Sequence, residues 1–352
     1  PPYKVVDNEA SWLDVTDLLF IDPVSTGYSR PVEGESAKQC HGLDEDIRAV
    51  GEVIRLWTTK NKRWDSPKFL AGESYGTTRA AGLSGYLQGN YGMYLNGIVL
   101  ISPVLNFQTL EFDAGNELPY WLFLPTYTAT AWYHGKLEAG LQRDLGATLK
   151  EAEAFAAGEY QAGLAKGDVL SAAEQDSIAT KVARYTGLSK EFVVRARLRI
   201  TDDSFYKELL RDQGRTVGRL DSRYKGIDRN DIGASAEYDP SYSAIQGAFT
   251  AALNSYVRAE LNYENDLPYE ILTGRVQPWT FGPANNRYAD VAGTLRRAMT
   301  TNPNLHVLVC SGYYDVATPY FAAAYTMAHL GLDATVRPNI SQVFFECGHM
   351  MY

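Results

Sequence analysis

A serine flanked by glycines is the first feature of this sequence that could do chemistry. The segment GESYG (72–76) has the pattern G-x-S-x-G, with the apolar run SPKFLA before it and the helix-like run TTRAAGLSGYLQ after it. A strand that enters a helix through so tight a turn imposes strained backbone angles on the serine, and both glycines are expected to let neighbouring backbones approach without a clash. Ser74 is therefore a candidate nucleophile, although the pattern alone also occurs by chance.

Two further residues could complete the machinery that a serine nucleophile needs, which is a base to take its proton and an acid to orient that base. Asp315 follows the strand-like run HVLVCSGYY, and His349 follows QVFFECG. In a doubly wound hydrolase the acid and the histidine come after the serine in this order, each behind a later strand. Order and position together predict a triad of Ser74, His349 and Asp315, whereas Asp315 alone could cap a helix and a lone histidine is usually structural.

The elements that must position these residues alternate between strand and helix. Near-continuous apolar strands that alternate with amphipathic helices predict an α/β fold with a mostly parallel sheet covered on both faces. The strand-like runs lie at 17–22, 68–74, 95–102, 305–312 and 341–348, and helix-like runs lie at 44–60, 77–88, 291–301 and 319–331.

A long helical insertion interrupts this alternation. Aromatic-rich text such as LPYWLFLPTYTATAWYHG is followed by helical text rich in Ala, Glu, Lys and Leu. We therefore predict a first core part at 1–107, a mainly helical cap at 108–285 and a second core part at 286–352. An insertion after the third strand-like run, at the carboxyl ends of the strands, would cover a site there.

Composition excludes some classes of partner. The chain has 352 residues, of which 45% are apolar, and a net charge of -9 with acids and bases intermingled. Nothing here attracts a polyanion, so we expect no nucleic-acid partner. No run approaches the roughly 18 apolar residues of a membrane span, so we expect no membrane partner.

The three cysteines do not have the spacing of a metal site. Cys40, Cys310 and Cys347 lack a C-x-x-C pair and neighbouring histidines, so the sequence implies no metal, and no organic cofactor either. Cys310 and Cys347 would end neighbouring strands. A disulfide between them and two separate buried thiols both remain open.

Four motifs in order resemble the serine carboxypeptidase family of the α/β-hydrolase superfamily. They are LLFIDPVSTGYSRP (18–31), GESYG (72–76), GYYDVATP (312–319) and CGHMMY (347–352). The segment ISPVLNFQ (101–108) and the aromatic stretch after it resemble the bacterial branch in particular. The resemblance implies a doubly wound α/β-hydrolase fold with a helical cap, and it is weak through the insertion.

Carried over by position, the resemblance assigns a role to each site residue. Ser74 is the nucleophile, His349 the general base, Asp315 its orienter, and the amide of Tyr75 one half of the oxyanion hole. Glu73, when protonated, would hydrogen-bond the free carboxylate of a peptide's last residue, so activity should favour acidic pH because an ionised glutamate would repel that carboxylate. Without the resemblance, Glu73 reads as an ordinary surface acid.

The sequence departs from the family's pattern at both ends. The family places an Asn-Gly-Gly-Pro-Gly loop upstream of the segment that resembles LLFIDP, and that loop supplies the second oxyanion amide. It also continues into a final helix after the histidine. We expect this chain to be an internal portion of a longer protein, whose upstream segment would complete the oxyanion hole.

The leading hypothesis is a serine carboxypeptidase that acts on peptides and, as the family implies, is secreted or periplasmic. The alternatives are a serine esterase or acyltransferase with the same triad, and a noncatalytic binding protein of hydrolase fold. The aromatic stretch from Tyr120 to Tyr133 could line substrate pockets or form the core of the cap. The oligomeric state does not follow from the sequence.

Overall fold

The main sheet has four parallel strands. The structure is a computed structural model that describes residues 4–352. The strands in chain order are β1 (Phe69–Glu73), β2 (Gly97–Ile101), β3 (Thr216–Val217), β4 (Lys225–Gly226), β5 (His306–Gly312) and β6 (Ile340–Phe345). The main sheet has the order β1-β2-β5-β6, and β3 pairs with β4 in a separate antiparallel ladder. Glu73, Ile101, Cys310 and Val343 lie side by side across the sheet, so the carboxyl ends of the strands share one edge.

Helices connect the parallel strands, as parallel pairing requires. The helices are α1 (Leu43–Lys60), α2 (Tyr75–Tyr91), α3 (Leu118–Leu122), α4 (Leu124–Tyr133), α5 (Leu145–Phe155), α6 (Gln161–Lys166), α7 (Ala172–Thr186), α8 (Lys190–Arg195), α9 (Asp202–Glu208), α10 (Pro240–Ala259), α11 (Ala292–Thr301) and α12 (Tyr320–Ala328). A π-helical turn at Ala156–Tyr160 joins α5 to α6. The structure confirms the predicted α/β class with a parallel sheet.

Four of the five predicted strands are confirmed, and the prediction at 17–22 is wrong. That segment has no strand, and Leu18, Leu19 and Phe20 are 40%, 44% and 88% exposed. A strand exists only through hydrogen bonds to a neighbour, and no segment within residues 4–352 pairs with this one. The apolar pattern was therefore not enough to make a strand here.

Contacts divide the chain into two compact units. The first, which we call the N-terminal unit, comprises the residues up to Ser66 and Ala244–Arg287, and the second, the sheet unit, comprises Pro67–Ser243 and Tyr288–Tyr352. All four strands of the main sheet and every candidate site residue lie in the sheet unit. The proposed three-part division at 107 and 285 stays a prediction, because contacts do not reveal which segment was inserted.

Residues 118–243, which we call the helical stretch, pack around a hydrophobic core that also includes Val316, which follows β5, and Ala322 of α12. Trp121, Phe123 and Tyr127 are each at most 3% exposed, and Tyr127 stacks on Phe205 with ring centroids 4.0 Å apart. Most of the aromatic stretch therefore forms core, although Tyr133 at its end is 49% exposed. Among residues 4–352, no helix is long and apolar enough to cross a bilayer.

A buried ion pair lies in the same helical stretch. The Lys207 ammonium donates to Asp228 at 2.5 Å and to the Asn230 carbonyl at 2.7 Å, and the two charged side chains are only 3% and 2% exposed. Burial of both charges is tolerable only because each compensates the other.

We predict that Lys207→Met lowers the free energy of unfolding by about 3 to 5 kcal/mol, because it leaves the Asp228 charge buried and unpaired. Denaturant unfolding measures the loss. Lys190→Met is the matched control, since Lys190 pairs with Asp176 at the surface with 43% and 66% of the side chains exposed, and it should cost less than about 1 kcal/mol. Equal losses in the two variants would contradict the prediction.

Candidate active site

Ser74 occupies a strained turn between β1 and α2. Its backbone angles are φ 55° and ψ -125°, a region that residues with a side chain rarely adopt. The turn is held from both sides, because the Ser74 amide donates to the Ile101 carbonyl at 3.0 Å and the Ser74 carbonyl accepts from the hydroxyl of Thr77 at 2.6 Å. The neighbouring strand and the first turn of α2 thus support the strain, and the Ser74 side chain is half-buried.

The two glycines of the G-x-S-x-G pattern differ in whether the surrounding backbone leaves space for a side chain. A Cβ on Gly72 would lie 2.1 Å from the Gly76 carbonyl oxygen, so only glycine fits there. A Cβ on Gly76 would meet nothing within 4 Å among the described residues. The expectation of close approach therefore holds for Gly72 and is wrong for Gly76.

Asp315 is fully buried and held by its own loop. Its Oδ1 accepts from the amides of Ala317 at 2.9 Å and Thr318 at 3.0 Å, and its Oδ2 accepts from the Thr318 hydroxyl at 2.7 Å. These hydrogen bonds give both oxygens of the buried carboxyl group a partner. Asp315 does not cap the next helix, because α12 begins at Tyr320 with Pro319 at its N-cap.

His349 lies next to this carboxylate. Its Nδ1 is 2.8 Å from Asp315 Oδ2, and the residue is 4% exposed. A ring whose Nδ1–H donates to the carboxylate presents Nε2 as an acceptor, which is the tautomer that a general base needs. Burial lowers the pKa of His349, but the charge and hydrogen bond of Asp315, with a smaller effect of Glu73, outweigh it and raise the pKa above the ordinary 6.5, while Arg219 acts in the opposite direction.

A segment of the helical stretch braces the loops of both residues. The His349 amide donates to the Leu220 carbonyl at 2.7 Å, the Val316 amide donates to the Arg219 carbonyl at 3.1 Å, and the Ser222 amide donates to the Tyr314 carbonyl at 3.0 Å. The residues flanking Asp315 and the backbone of His349 are therefore tied to the same four residues, 219–222, which we call the brace.

Ser102 supports His349 from the other side. Its hydroxyl donates to the His349 carbonyl at 2.7 Å, and its amide donates to the Cys310 carbonyl at 2.8 Å. Ser102 directly follows β2, is fully buried and has a positive φ of 49°. Strain at a buried serine persists only where its surroundings enforce it.

Glu73 lies at the same site rather than on a remote surface. Its Oε1 is 3.9 Å from His349 Nε2, and its Oε2 accepts a hydrogen bond of 2.5 Å from the Tyr352 hydroxyl. The glutamate side chain is 30% exposed, so the site is open to solvent on this side.

The structure brings all five predicted site residues together at this edge, but Ser74 and His349 are not hydrogen-bonded within residues 4–352. The His349 ring lies between the Asp315 carboxyl group on one side and the Glu73 carboxyl group on the other. Ser74 and Tyr75 directly follow Glu73 in the chain. Hydrogen bonds between a catalytic serine and its histidine often tighten only in the complex with substrate. Tyr75, the fifth, is the first residue of α2, where backbone amides have no acceptor within the helix.

Sequence reasoning missed the supporting residues for different reasons. Thr318 lies three residues after Asp315, a spacing at which a hydroxyl reaches a carboxylate, and Ser102 is a polar residue directly after a strand. Both signals were readable. The brace and Tyr352 have no local signal, because their contacts span long stretches of chain.

The cysteines form no bridge. Cys40, Cys310 and Cys347 are free thiols. Burial raises the pKa of Cys347 to about 11 and also raises that of Cys310. A protonated thiol is a poor nucleophile, so neither of these two cysteines is a candidate nucleophile.

We predict that Gly72→Ala lowers the free energy of unfolding by about 3 kcal/mol, because the new methyl group overlaps the Gly76 backbone and cannot be accommodated by a rotamer change. Denaturant unfolding measures the effect. Gly89→Ala within α2 is the control, since a Cβ there meets nothing within 4 Å, and it should be neutral or stabilising by up to about 1 kcal/mol. A Gly72→Ala protein as stable as the control would refute the steric account.

A strained serine, a buried acid–histidine pair and a second acid lie together at the carboxyl edge of the parallel sheet. The chain matches the family model described as serine carboxypeptidase over residues 2–339, a range that includes Ser74 and Asp315 and ends before His349. No curated protein matches the chain. Because the match extends over most of its length, this chain belongs to the serine carboxypeptidase family.

Proposed function

We propose that this serine carboxypeptidase releases C-terminal residues from peptides with Ser74 as nucleophile, His349 as general base and Asp315 as the residue that orients the base. The observation that carries the assignment is the buried 2.8 Å contact between His349 Nδ1 and Asp315 Oδ2. It leaves Nε2 as the acceptor at the edge of the sheet where Ser74 follows β1. A noncatalytic protein would have no need for a strained serine beside such a pair.

The reaction runs in two halves. Ser74 Oγ attacks the carbonyl carbon of the last peptide bond while His349 Nε2 takes its proton, and the Tyr75 amide donates to the oxyanion that forms. The carbon–nitrogen bond then breaks, and His349 gives the proton to the departing amine of the C-terminal residue. Water, deprotonated by His349, attacks the acyl-enzyme and releases the shortened peptide with Ser74 restored.

Glu73 supplies the preference for a chain end. A protonated glutamate can donate to the free carboxylate of the last residue, whereas an ionised one repels it. The distance of 3.9 Å between Glu73 Oε1 and His349 Nε2 supports this role, because it is short enough for both groups to meet one substrate. Catalysis on peptides therefore needs a protonated Glu73 and a neutral His349 at once, which gives a bell-shaped pH profile.

We include the cellular location of the enzyme in the same proposal. Secretion or export to the periplasm draws its support from membership in the family.

We predict that the enzyme cleaves an N-blocked dipeptide much faster than its C-terminal amide at pH 4 to 5, and that this advantage fades as the pH rises to 8. The physical reason is the loss of the Glu73 proton. Glu73→Gln, which keeps a donor at all pH values, should make the ratio of the two kcat/KM values nearly independent of pH. Steady-state rates on both substrates, measured from pH 4 to 8, test this.

Ser74→Ala is the control for that experiment. Loss of the nucleophile should lower kcat on the order of 10⁴- to 10⁶-fold and abolish labelling by an organophosphonate. Equal rates on the free acid and the amide in the unaltered enzyme would refute the role of Glu73. Cleavage of simple esters alone would favour an esterase or acyltransferase.

A further prediction concerns the base. The raised pKa of His349 means that its protonated, inactive form persists to higher pH, so cleavage of the uncharged amide substrate should fall with decreasing pH through a midpoint above 6.5. Glu73→Gln removes a negative neighbour and should move this midpoint down, whereas Arg219→Gln removes a positive one and should move it up. Shifts in the same direction in both variants would contradict this account.

A further inference from the structure

The two oxygens of the Asp315 carboxyl group have different kinds of partner. Oδ1 accepts from two backbone amides, those of Ala317 at 2.9 Å and Thr318 at 3.0 Å. Oδ2 accepts from a side chain, the Thr318 hydroxyl at 2.7 Å, and lies 2.8 Å from His349 Nδ1. Within residues 4–352, the oxygen that meets the base therefore has one donor besides the base itself, and this donor is the Thr318 hydroxyl.

The Thr318 hydroxyl also lies beside the imidazole. Thr318 Oγ1 is 3.3 Å from His349 Nδ1, and the two residues are only 3% and 4% exposed. A hydroxyl has one proton to donate and two lone pairs that accept. Because the contact with Asp315 Oδ2 is the shorter one, the proton goes there, and the oxygen faces His349 Nδ1 as an acceptor.

This arrangement distinguishes the two neutral tautomers of His349. With its proton on Nδ1, the ring donates to Asp315 Oδ2 and has the Thr318 oxygen as a second acceptor nearby. With the proton on Nε2 instead, the lone pair of Nδ1 would face a carboxylate oxygen and a hydroxyl whose proton is already donated to that oxygen. Three acceptors without a proton between them repel one another, so these surroundings favour the proton on Nδ1.

We propose that Thr318 is a positioning residue for the base: its hydroxyl holds Asp315 Oδ2 against His349 and keeps the imidazole proton on Nδ1. Nε2 then stays free to take the proton of Ser74. The inference rests on the proposed function, in which His349 is the general base. Thr318 acts through the acid and the base, since its buried hydroxyl contacts both of them.

The side chain of residue 318 matters because only its hydroxyl makes these contacts. The Thr318 amide donates to Oδ1 whatever the side chain is. A side chain without a hydroxyl therefore leaves Oδ1 held and removes the donor that fixes Oδ2. The rotation of the Asp315 carboxyl group is then less restricted, and so is the orientation of the His349 ring.

The experiment compares Thr318→Val, which replaces the hydroxyl by a methyl group of similar size, with Thr318→Ser, which keeps the hydroxyl. We expect Thr318→Val to lower kcat by about 10- to 100-fold on both the N-blocked dipeptide and its amide, with little change in KM, because a displaced catalytic group costs rate rather than binding. Labelling of Ser74 by the organophosphonate should slow by a similar factor, since it needs the same base and no peptide. Thr318→Ser should restore both rates.

Nuclear magnetic resonance gives a second measurement that does not depend on turnover. A proton held on His349 Nδ1 against a carboxylate exchanges slowly with water and gives a strongly deshielded signal. This signal should be present in the unaltered enzyme and in Thr318→Ser, and it should broaden or disappear in Thr318→Val while the backbone amide signals remain. If Thr318→Val does not fold, Thr318→Ala, which removes the hydroxyl without adding a larger group, gives the same comparison.

Thr326→Val is the matched control, because Thr326 is also buried but its hydroxyl donates to the Ala322 carbonyl at 2.9 Å within α12. It should leave kcat, labelling and the Nδ1 signal unchanged. Unchanged kcat and an unchanged signal in Thr318→Val would overturn the inference. Equal losses in Thr318→Val and Thr318→Ser would also overturn it, because they would show that the hydroxyl is not the group that matters.

The unaltered enzyme and Ser74→Ala separate failure of this inference from failure of the proposed function. If the organophosphonate labels the unaltered enzyme but not Ser74→Ala, and Thr318→Val is labelled as fast as the unaltered enzyme, the triad stands and Thr318 has no part in it. If the unaltered enzyme is neither labelled nor active on either substrate, the proposed function itself is refuted, and the inference about Thr318 falls with it.

Discussion

The contact between the Asp315 carboxylate and the His349 imidazole is the interaction on which the rest of the site depends. A carboxylate with no exposed surface is tolerable only if donors surround it, and the amides of residues 317 and 318, the Thr318 hydroxyl and the imidazole fill that need. The same contact fixes the tautomer of His349 and raises its pKa. One group of hydrogen bonds therefore determines the orientation of the His349 ring, raises the pKa of His349 and compensates the burial of Asp315.

The parallel sheet makes this arrangement possible. Residues that are far apart in the chain meet because strands β1, β2, β5 and β6 all end at one edge. Ser74 follows the first of these strands, Ser102 the second, Asp315 the third and His349 the fourth. Each strand is followed by a polar group of the site, and β1 itself ends in Glu73. Apolar residues such as Ile98, Leu100 and Val309 are buried in the interior of the sheet.

Features that depend on residues close together in the sequence could be predicted, whereas features that depend on contacts between distant residues could not. Strand and helix positions in the sheet unit were readable because local hydrophobic patterns determine them, and the order of the serine, acid and histidine was readable because it follows the strands. The strand expected at 17–22 failed because pairing depends on a partner that a local pattern cannot specify. The brace was unreadable for the same reason, since the Leu220 carbonyl that holds the His349 amide at 2.7 Å lies far away in sequence. Gly76 shows a third limit, because a motif does not say which of its glycines is sterically required.

The brace has a consequence for how this protein could change over time. A helical segment that covers a sheet can be pictured as exchangeable without any effect on the residues at the edge of the sheet. Here residues 219–222, within the helical stretch, hold the backbone of His349 and of the residues beside Asp315. A different helical stretch would have to supply equivalent hydrogen bonds to keep these two backbone segments in place. Variation should therefore accumulate elsewhere in the helical stretch, and the short run that reaches the catalytic loops should change slowly.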